Sequence, residues 1–207
     1  EHVQTIGIRT LELVQTEITT EEEPGEFVFV VNGQKVFIKG TNHVPLDALH
    51  GRDSRHLDTL LSMTADLNCN MLRIWGGGVY ETDTFYDRCD ELGIMVWHDF
   101  MFGCALYPQT EDFLKQARKE AEVVVKRLRH HACIALWSGN NENDVAHDWF
   151  PLHSKLNPND DRISREILPE VLRRLDPLRS YLPSSPYVSQ KVFERGKKTS
   201  EIPEDHL

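Results

Sequence analysis

The sequence predicts an α/β protein: the N-terminal half of a (β/α)8 TIM barrel, preceded by the end of a β-sandwich domain. Three observations carry this. From residue 36 onward, apolar runs of strand length alternate with stretches of helical periodicity, the order that builds a parallel sheet. The Gly76-Gly77-Gly78 loop follows the second strand and lacks the Gly-x-Gly-x-x-Gly spacing of a doubly wound nucleotide fold. Carboxylates, amides and aromatics gather where the strands end, which in a barrel is the catalytic mouth. A full barrel takes roughly 250 residues, and the 207 here show strand–helix repeats for only its first half.

Residues 1–31 read as the tail of the β-domain and its linker, and residues 32–207 as the barrel part. In the first stretch Ile6, Ile8, Leu11 and Leu13, then Phe27 and Phe29, alternate weakly around an acidic turn at 19–25. Asn32-Gly33 is a hairpin signal. Residues 36–40 are the first expected buried strand. Leu57, Leu60, Leu61, Thr64 and Leu67 then fall at helical spacing behind Asp53-Ser54, a capping pair. Residues 71–75 form the second strand. Residues 82–92 form a helix stopped by Gly93, and 94–97 the third strand.

The longest helix puts Phe113, Ala117, Ala121, Val124, Val125 and Leu128 on one stripe, with Lys115, Lys119, Glu122 and Lys126 outside. Residues 133–137 are the fourth strand. Ile163, Ile167, Val171 and Leu175 mark an amphipathic segment that Pro169 is expected to break into two short helices. Tyr181-Leu182 begins a fifth strand, and residues 188–207 show no element.

Composition narrows the classes. A formal charge of −10 argues against nucleic acid or an anionic membrane surface as partner, since both are polyanions. No apolar run approaches the roughly 18 residues that span a bilayer. The chain opens on Glu1 rather than Met, so its compartment stays open, as does its oligomeric state. The four cysteines form no Cys-x-x-Cys pair and read as buried thiols. The ten histidines include no His-Glu-x-x-His, so neither a metal nor a cofactor is expected.

The strand ends supply the candidate site. The run Cys133-Ile134-Ala135-Leu136 leads into Trp137-Ser138-Gly139-Asn140-Asn141-Glu142-Asn143, a buried strand handing a carboxylate to its mouth. Glu142 is the candidate catalytic acid and Asn141 a substrate ligand. Asn42 after strand one, Arg73 and Trp75 at strand two, and Trp97 and Asp99 at strand three complete the rim. Aromatic faces stack on the apolar face of a pyranose, and amides, Asp and Arg bond its hydroxyls. The plainer readings are core packing for the tryptophans and a structural ion pair for Arg73.

The string Asn70-Met71-Leu72-Arg73-Ile74-Trp75-Gly76-Gly77-Gly78-Val79-Tyr80-Glu81 resembles the glycoside hydrolase family 2 β-mannosidases. So do Asp90-Glu91-Leu92-Gly93-Ile94-Met95-Val96-Trp97, Asp99-Phe100-Met101-Phe102, Cys104-Ala105-Leu106-Tyr107-Pro108 and the Trp137–Asn143 run, all in register between about residues 30 and 150. The resemblance implies a retaining exo-hydrolase that removes terminal β-linked mannose from an oligosaccharide or glycan, with an immunoglobulin-like domain ending before the barrel. It makes Glu142 the general acid/base and Asn141 the contact to the sugar 2-hydroxyl. It puts the nucleophile Glu on a later strand, beyond Leu207, so the 207-residue piece alone is expected to be inactive. His43 stands where the resemblance leads one to expect a Trp, a departure that bears on substrate preference. Other family 2 hydrolases (an endo-β-mannosidase or an exo-β-glucosaminidase) and a non-catalytic sugar-binding barrel are the alternatives.

Overall fold

The computed structural model describes residues 6–16, 25–149 and 156–196. Most of the acidic turn at 19–25 and the tail from 197 lie outside the described residues.

The first sheet is antiparallel. It comprises β1 (Leu11–Gln15), β2 (Phe27–Val31) and β3 (Gln34–Val36), with Leu13 opposite Phe29 and Phe29 opposite Val36. Asn32 and Gly33 link β2 to β3 with φ of 50° and 77°. Both central residues are left-handed, the geometry that matches strand twist in a two-residue hairpin. The stretch expected as the first buried parallel strand is therefore divided. Val36 ends the hairpin, and β4 (Gly40–His43) begins the second sheet, mostly exposed. Its hydrophobic pattern misled because Val36 belongs to β3 while Ile38 packs beside the same antiparallel layer.

The second sheet is parallel and runs in chain order: β4, β5 (Met71–Ile74), β6 (Met95–Asp99), β7 (Ile134–Ser138) and β8 (Ser180–Leu182). The crossovers carry α1 (Leu57–Asp66), α2 (Asp83–Leu92), α3 (Glu111–Leu128), a four-residue turn α4 (Asn143–Ala146) and α5 (Leu168–Leu175). A last helix, α6 (Gln190–Glu194), lies in the stretch where none was expected; Ser189 caps it by accepting from the Val192 amide. No helix among the described residues is long and apolar enough to cross a membrane.

Two local details differ from expectation for clear reasons. Asp53 does not cap α1. It sits in a 3-10 turn, His50–Arg55, and its carboxylate accepts from the Asp47 amide instead. Pro169 does not break its segment. Ile163–Ile167 forms a π-turn that runs straight into α5, so proline falls in the first turn of the α-helix, where no N–H is required. Gly93 ends α2 at φ 69°, as a left-handed C-cap should.

The pleat of the parallel sheet divides the core. Leu72, Ile74, Val96 and Ile134 face the helices and pack with Phe85, Leu114, Val125 and Leu168. On the other face Met71, Trp97, Leu136 and Leu182 pack under Phe29 of the antiparallel sheet, with Phe27 stacked on Trp97 at 5.9 Å. Fully burying side chains of this size contributes about 1.5–3 kcal/mol each. An irregularity in the β6–β7 register pairs Val96 with Ile134 but Trp97 with Leu136, stepping over Ala135. The antiparallel sheet thus covers the apolar part of this second face and leaves the polar C-terminal strand ends uncovered.

Candidate active site

The strand ends are polar because alternation places Asn42, Arg73, Asp99 and Ser138 on the face of Met71, Trp97 and Leu136, one step beyond its apolar layer. Asn42 lies beside Arg73 in the β4–β5 register, while Arg73 pairs with Trp97 and Ile74 with His98 in β5–β6. Arg73 is the hub. Its Nη2 reaches Asp99 Oδ2 at 2.8 Å and Asn141 Oδ1 at 2.9 Å, its Nε reaches Asp99 Oδ1 at 3.3 Å, and its Nη1 reaches Asn42 Oδ1 at 3.2 Å. Asp99 also accepts from the Gly76 amide at 3.0 Å and from Trp97 Nε1 at 3.1 Å. Burial pushes the Asp99 carboxyl up to about 6, and Arg73 and these donors only partly offset that cost.

Gly76 has to be glycine here. A Cβ would stand 2.5 Å from the Phe102 carbonyl oxygen and 2.9 Å from that of Phe100. The triple glycine therefore lets the backbone amide approach a buried carboxylate.

Glu142 is half-buried at the end of the β7 run. The backbone around it is pinned on both sides: Asn141 N–H donates to Phe102 O, Glu142 N–H to Ser185 O, and Cys104 N–H to Asn141 O, at 2.9, 2.9 and 2.7 Å. Glu142 itself has φ 61°, a left-handed conformation that costs an ordinary L-residue on the order of 1–2 kcal/mol. Its carboxylate Oε2 accepts from Asn141 Nδ2 at 3.1 Å and from the Cys104 thiol at 3.2 Å. One continuous chain of contacts therefore links Asp99, Arg73, Asn141 and Glu142.

Among the residues expected from sequence, the structure joins Asn42, Arg73, Trp97, Asp99, Asn141 and Glu142 in this network. Trp97 enters through its N–H, since its ring is buried against Phe27. Trp75 stands apart, with its ring against the backbone of Gly77. His43 points the other way, on the face of Ile74. Its Nε2 meets buried Glu81 at 2.8 Å and its ring stacks on Phe85. His43 therefore belongs to the helix-side packing behind the rim.

Three participants were not read from sequence. Cys104, taken as a buried thiol, is exposed and touches Glu142. Asn140 accepts from the Ser184 hydroxyl and the Asn143 amide, fixing the turn that carries Glu142. Asp144 forms a buried two-pronged pair with Arg165, at 2.6 and 2.8 Å, and accepts from the Val188 amide. The -Gly-Asn-Asn-Glu-Asn-Asp- string hinted at a polar turn, but its partners lie 21 and 44 residues away. A cavity of about 240 Å³ opens beside this turn, lined by Leu106, Tyr107, Asn143, His147, Asn157 and Asp161 among others.

Asp90, His131 and Cys133 have the donor set of a metal site, with ligand atoms within 4.8 Å of one another. Both Asp90 oxygens are already engaged, by His131 Nδ1 at 2.7 Å and the Cys133 amide at 2.6 Å. Burial drives the Cys133 thiol far up, so it is held as a thiol. The group clasps the N-terminal end of β7, the end opposite to Glu142.

Sequential parallel strands that gather an acid, amides and an arginine at their C-terminal ends are the α/β arrangement in which enzymes place an active site. No protein-family model matches the chain. Individual relatives do. A β-mannosidase of Rattus norvegicus is 41% identical over 208 aligned positions, which cover 95% of this chain and 23% of that protein. One of Capra hircus is 50% identical over 143 residues, 68% of this chain and 16% of that protein. In structure, a β-D-mannosidase from Dictyoglomus thermophilum superposes with a TM-score of 0.81 at 45% identity, covering 89% of this chain and 23% of that one. The chain belongs to the β-mannosidases of glycoside hydrolase family 2, and it spans about a quarter or less of the length of these relatives.

Proposed function

We propose that the protein carrying this chain is a retaining, exo-acting β-mannosidase, that residues 32–207 are the first half of its (β/α)8 barrel, and that the stretch before them ends a β-sandwich domain. Strand β3 lies after that boundary but pairs with β2 in the antiparallel sheet and not with the parallel one. The observation that carries the proposal is Glu142, half-buried at a parallel strand end with Asn141 and Arg73 joined to it. The sequential strand order favours a barrel over a doubly wound sheet, whose order reverses at its switch point.

In this reading Glu142 protonates the leaving oxygen, and a second carboxylate, from a strand outside this chain, attacks the anomeric carbon. A retaining enzyme holds the two carboxyl groups about 5–5.5 Å apart. Glu142 then takes a proton from water to release the sugar. Asn42 and Arg73 present the polar edge that meets hydroxyls, with the buried Asp99 behind them holding Arg73 and Trp97 joined to it through its indole N–H. Both Asn141 amide hydrogens are already directed at Cys104 and Glu142. A sugar 2-hydroxyl reaching Asn141 would share one of them.

The complete protein assayed on 4-nitrophenyl β-mannoside, β-glucosaminide, β-galactoside and β-glucoside tests this. Selective cleavage of the mannoside is expected. Preference for the glucosaminide would reassign the substrate within the same family, and activity on none would overturn the exo-hydrolase reading.

A further inference from the structure

We propose that Cys104 is a positioning residue for Glu142: its thiol and the Asn141 amide together hold carboxylate oxygen Oε2, leaving Oε1 as the oxygen that carries and delivers the proton. This rests on the reading of Glu142 as the general acid/base.

The geometry leaves little choice of roles. Arg73 has only donors, so Asn141 must present Oδ1 to it, at 2.9 Å, and turn its NH2 group the other way. That NH2 meets Glu142 Oε2 at 3.1 Å and Cys104 Sγ at 3.2 Å. The thiol's remaining bonding capacity is its own S–H, which donates to Glu142 Oε2 at 3.2 Å. Sulfur, amide and carboxylate thus close a triangle, with both donors on the same oxygen. Two left-handed residues build it, Cys104 at φ 55° and Glu142 at φ 61°, joined through the Cys104 amide and the Asn141 carbonyl. Such conformations persist where the surroundings over-determine them, often at functional sites.

The consequence for the reaction is directional. When Glu142 gives up its proton from Oε1, the new anion is already held by two donors at Oε2. It keeps its aim for the second step, in which it removes a proton from water. The thiol acts as a donor and not as a nucleophile, because its partial desolvation against the protein and then the bond to Glu142 both raise its proton affinity. The other charged groups of the network are Arg73, whose charge favours both anions, and Asp99, which pairs with Arg73.

The test uses the complete protein with Cys104→Ala, Cys104→Ser and Glu142→Gln. Cys104→Ala removes one of the two donors to Oε2, so the alkaline limb of its kcat/KM profile is expected to differ from that of wild type. Its kcat should fall by about five- to tenfold, a part of the roughly 10²–10⁴ a general acid provides, with KM nearly unchanged. Cys104→Ser, which keeps a donor, should restore most of both. Independently of turnover, alkylation of Cys104 by iodoacetamide, read by peptide mass spectrometry, should be faster in Glu142→Gln, where the charge that raises the thiol is gone. An unmoved alkaline limb in Cys104→Ala, or alkylation indifferent to Glu142→Gln, would overturn the positioning role while leaving Glu142 as the acid. Full activity of Glu142→Gln would remove the acid assignment, and the proposal with it.

Discussion

Arg73 grips the fully buried Asp99 with two nitrogens, Nη2 to Oδ2 at 2.8 Å and Nε to Oδ1 at 3.3 Å, and with the same Nη2 holds Asn141. The ion pair therefore fixes the neighbour of Glu142 and binds β5 to β6. Removing one partner of a buried pair leaves an uncompensated charge, which costs about 3–5 kcal/mol. Arg73→Ala should lower the denaturation midpoint by a corresponding amount and slow hydrolysis as well. A variant with the wild-type midpoint would show that Asp99 does not depend on Arg73.

The same aspartate sets a pH dependence. Its proton affinity corresponds to about 6 in the fold, against 3.8 for an ordinary aspartate, so the native state holds the proton more tightly than the unfolded chain. Between these values the native protein binds more protons, and the stability from this group falls as pH rises, by roughly 3 kcal/mol across the window. Below it the contribution is fully present. Asp99→Asn does not titrate, so its midpoint should improve relative to wild type between pH 4 and 6. Parallel curves for the two proteins would mean the carboxyl is not raised.

Gly76→Ala puts a Cβ 2.5 Å from the Phe102 carbonyl oxygen. That contact is with backbone and has nowhere to go, so the loop must shift and the Gly76 amide must leave Asp99. Overpacking of this kind typically costs about 1–3 kcal/mol. The expected result is a lower melting point with reduced kcat. Tolerance of alanine without loss would show that the loop has more room than the structure gives it.

His43→Ala should separate stability from specificity. It strips a buried hydrogen-bond partner from Glu81, a loss of about 1–3 kcal/mol, more if Glu81 is charged. Because the imidazole faces Phe85 and not Arg73, the ratio of activities across the four 4-nitrophenyl glycosides should stay as in wild type. A changed ratio would return His43 to the rim.

Much of this was legible in the chain, for reasons that differ by element. Strands β5 to β8 and helices α1 to α3 were readable because each has a strong period and a stop such as Gly93. The start of the parallel sheet was not, since Val36 and Ile38 are apolar for the sake of the antiparallel layer while β4 itself is exposed. Arg73, Asp99, Asn141 and Glu142 could be nominated because each ends or follows a buried strand, and Asn42 because it follows the apolar run expected to be one. Cys104 could not. Its role depends on two left-handed residues 38 positions apart in sequence, and neither pattern nor propensity signals such a meeting. The direction in which His43 points was not legible, because facing depends on where β4 begins.

The measurement closest to the central claim compares Glu142→Gln with wild type in the complete protein, on a 4-nitrophenyl β-mannoside and on an unactivated β-mannosyl disaccharide. If Glu142 is the general acid, kcat/KM on the disaccharide should fall by roughly 10²–10⁴. The loss at the step that releases the activated phenol should be far smaller, since that leaving group needs little protonation. Equal losses on both substrates would contradict the assignment and leave Glu142 a structural residue of the rim.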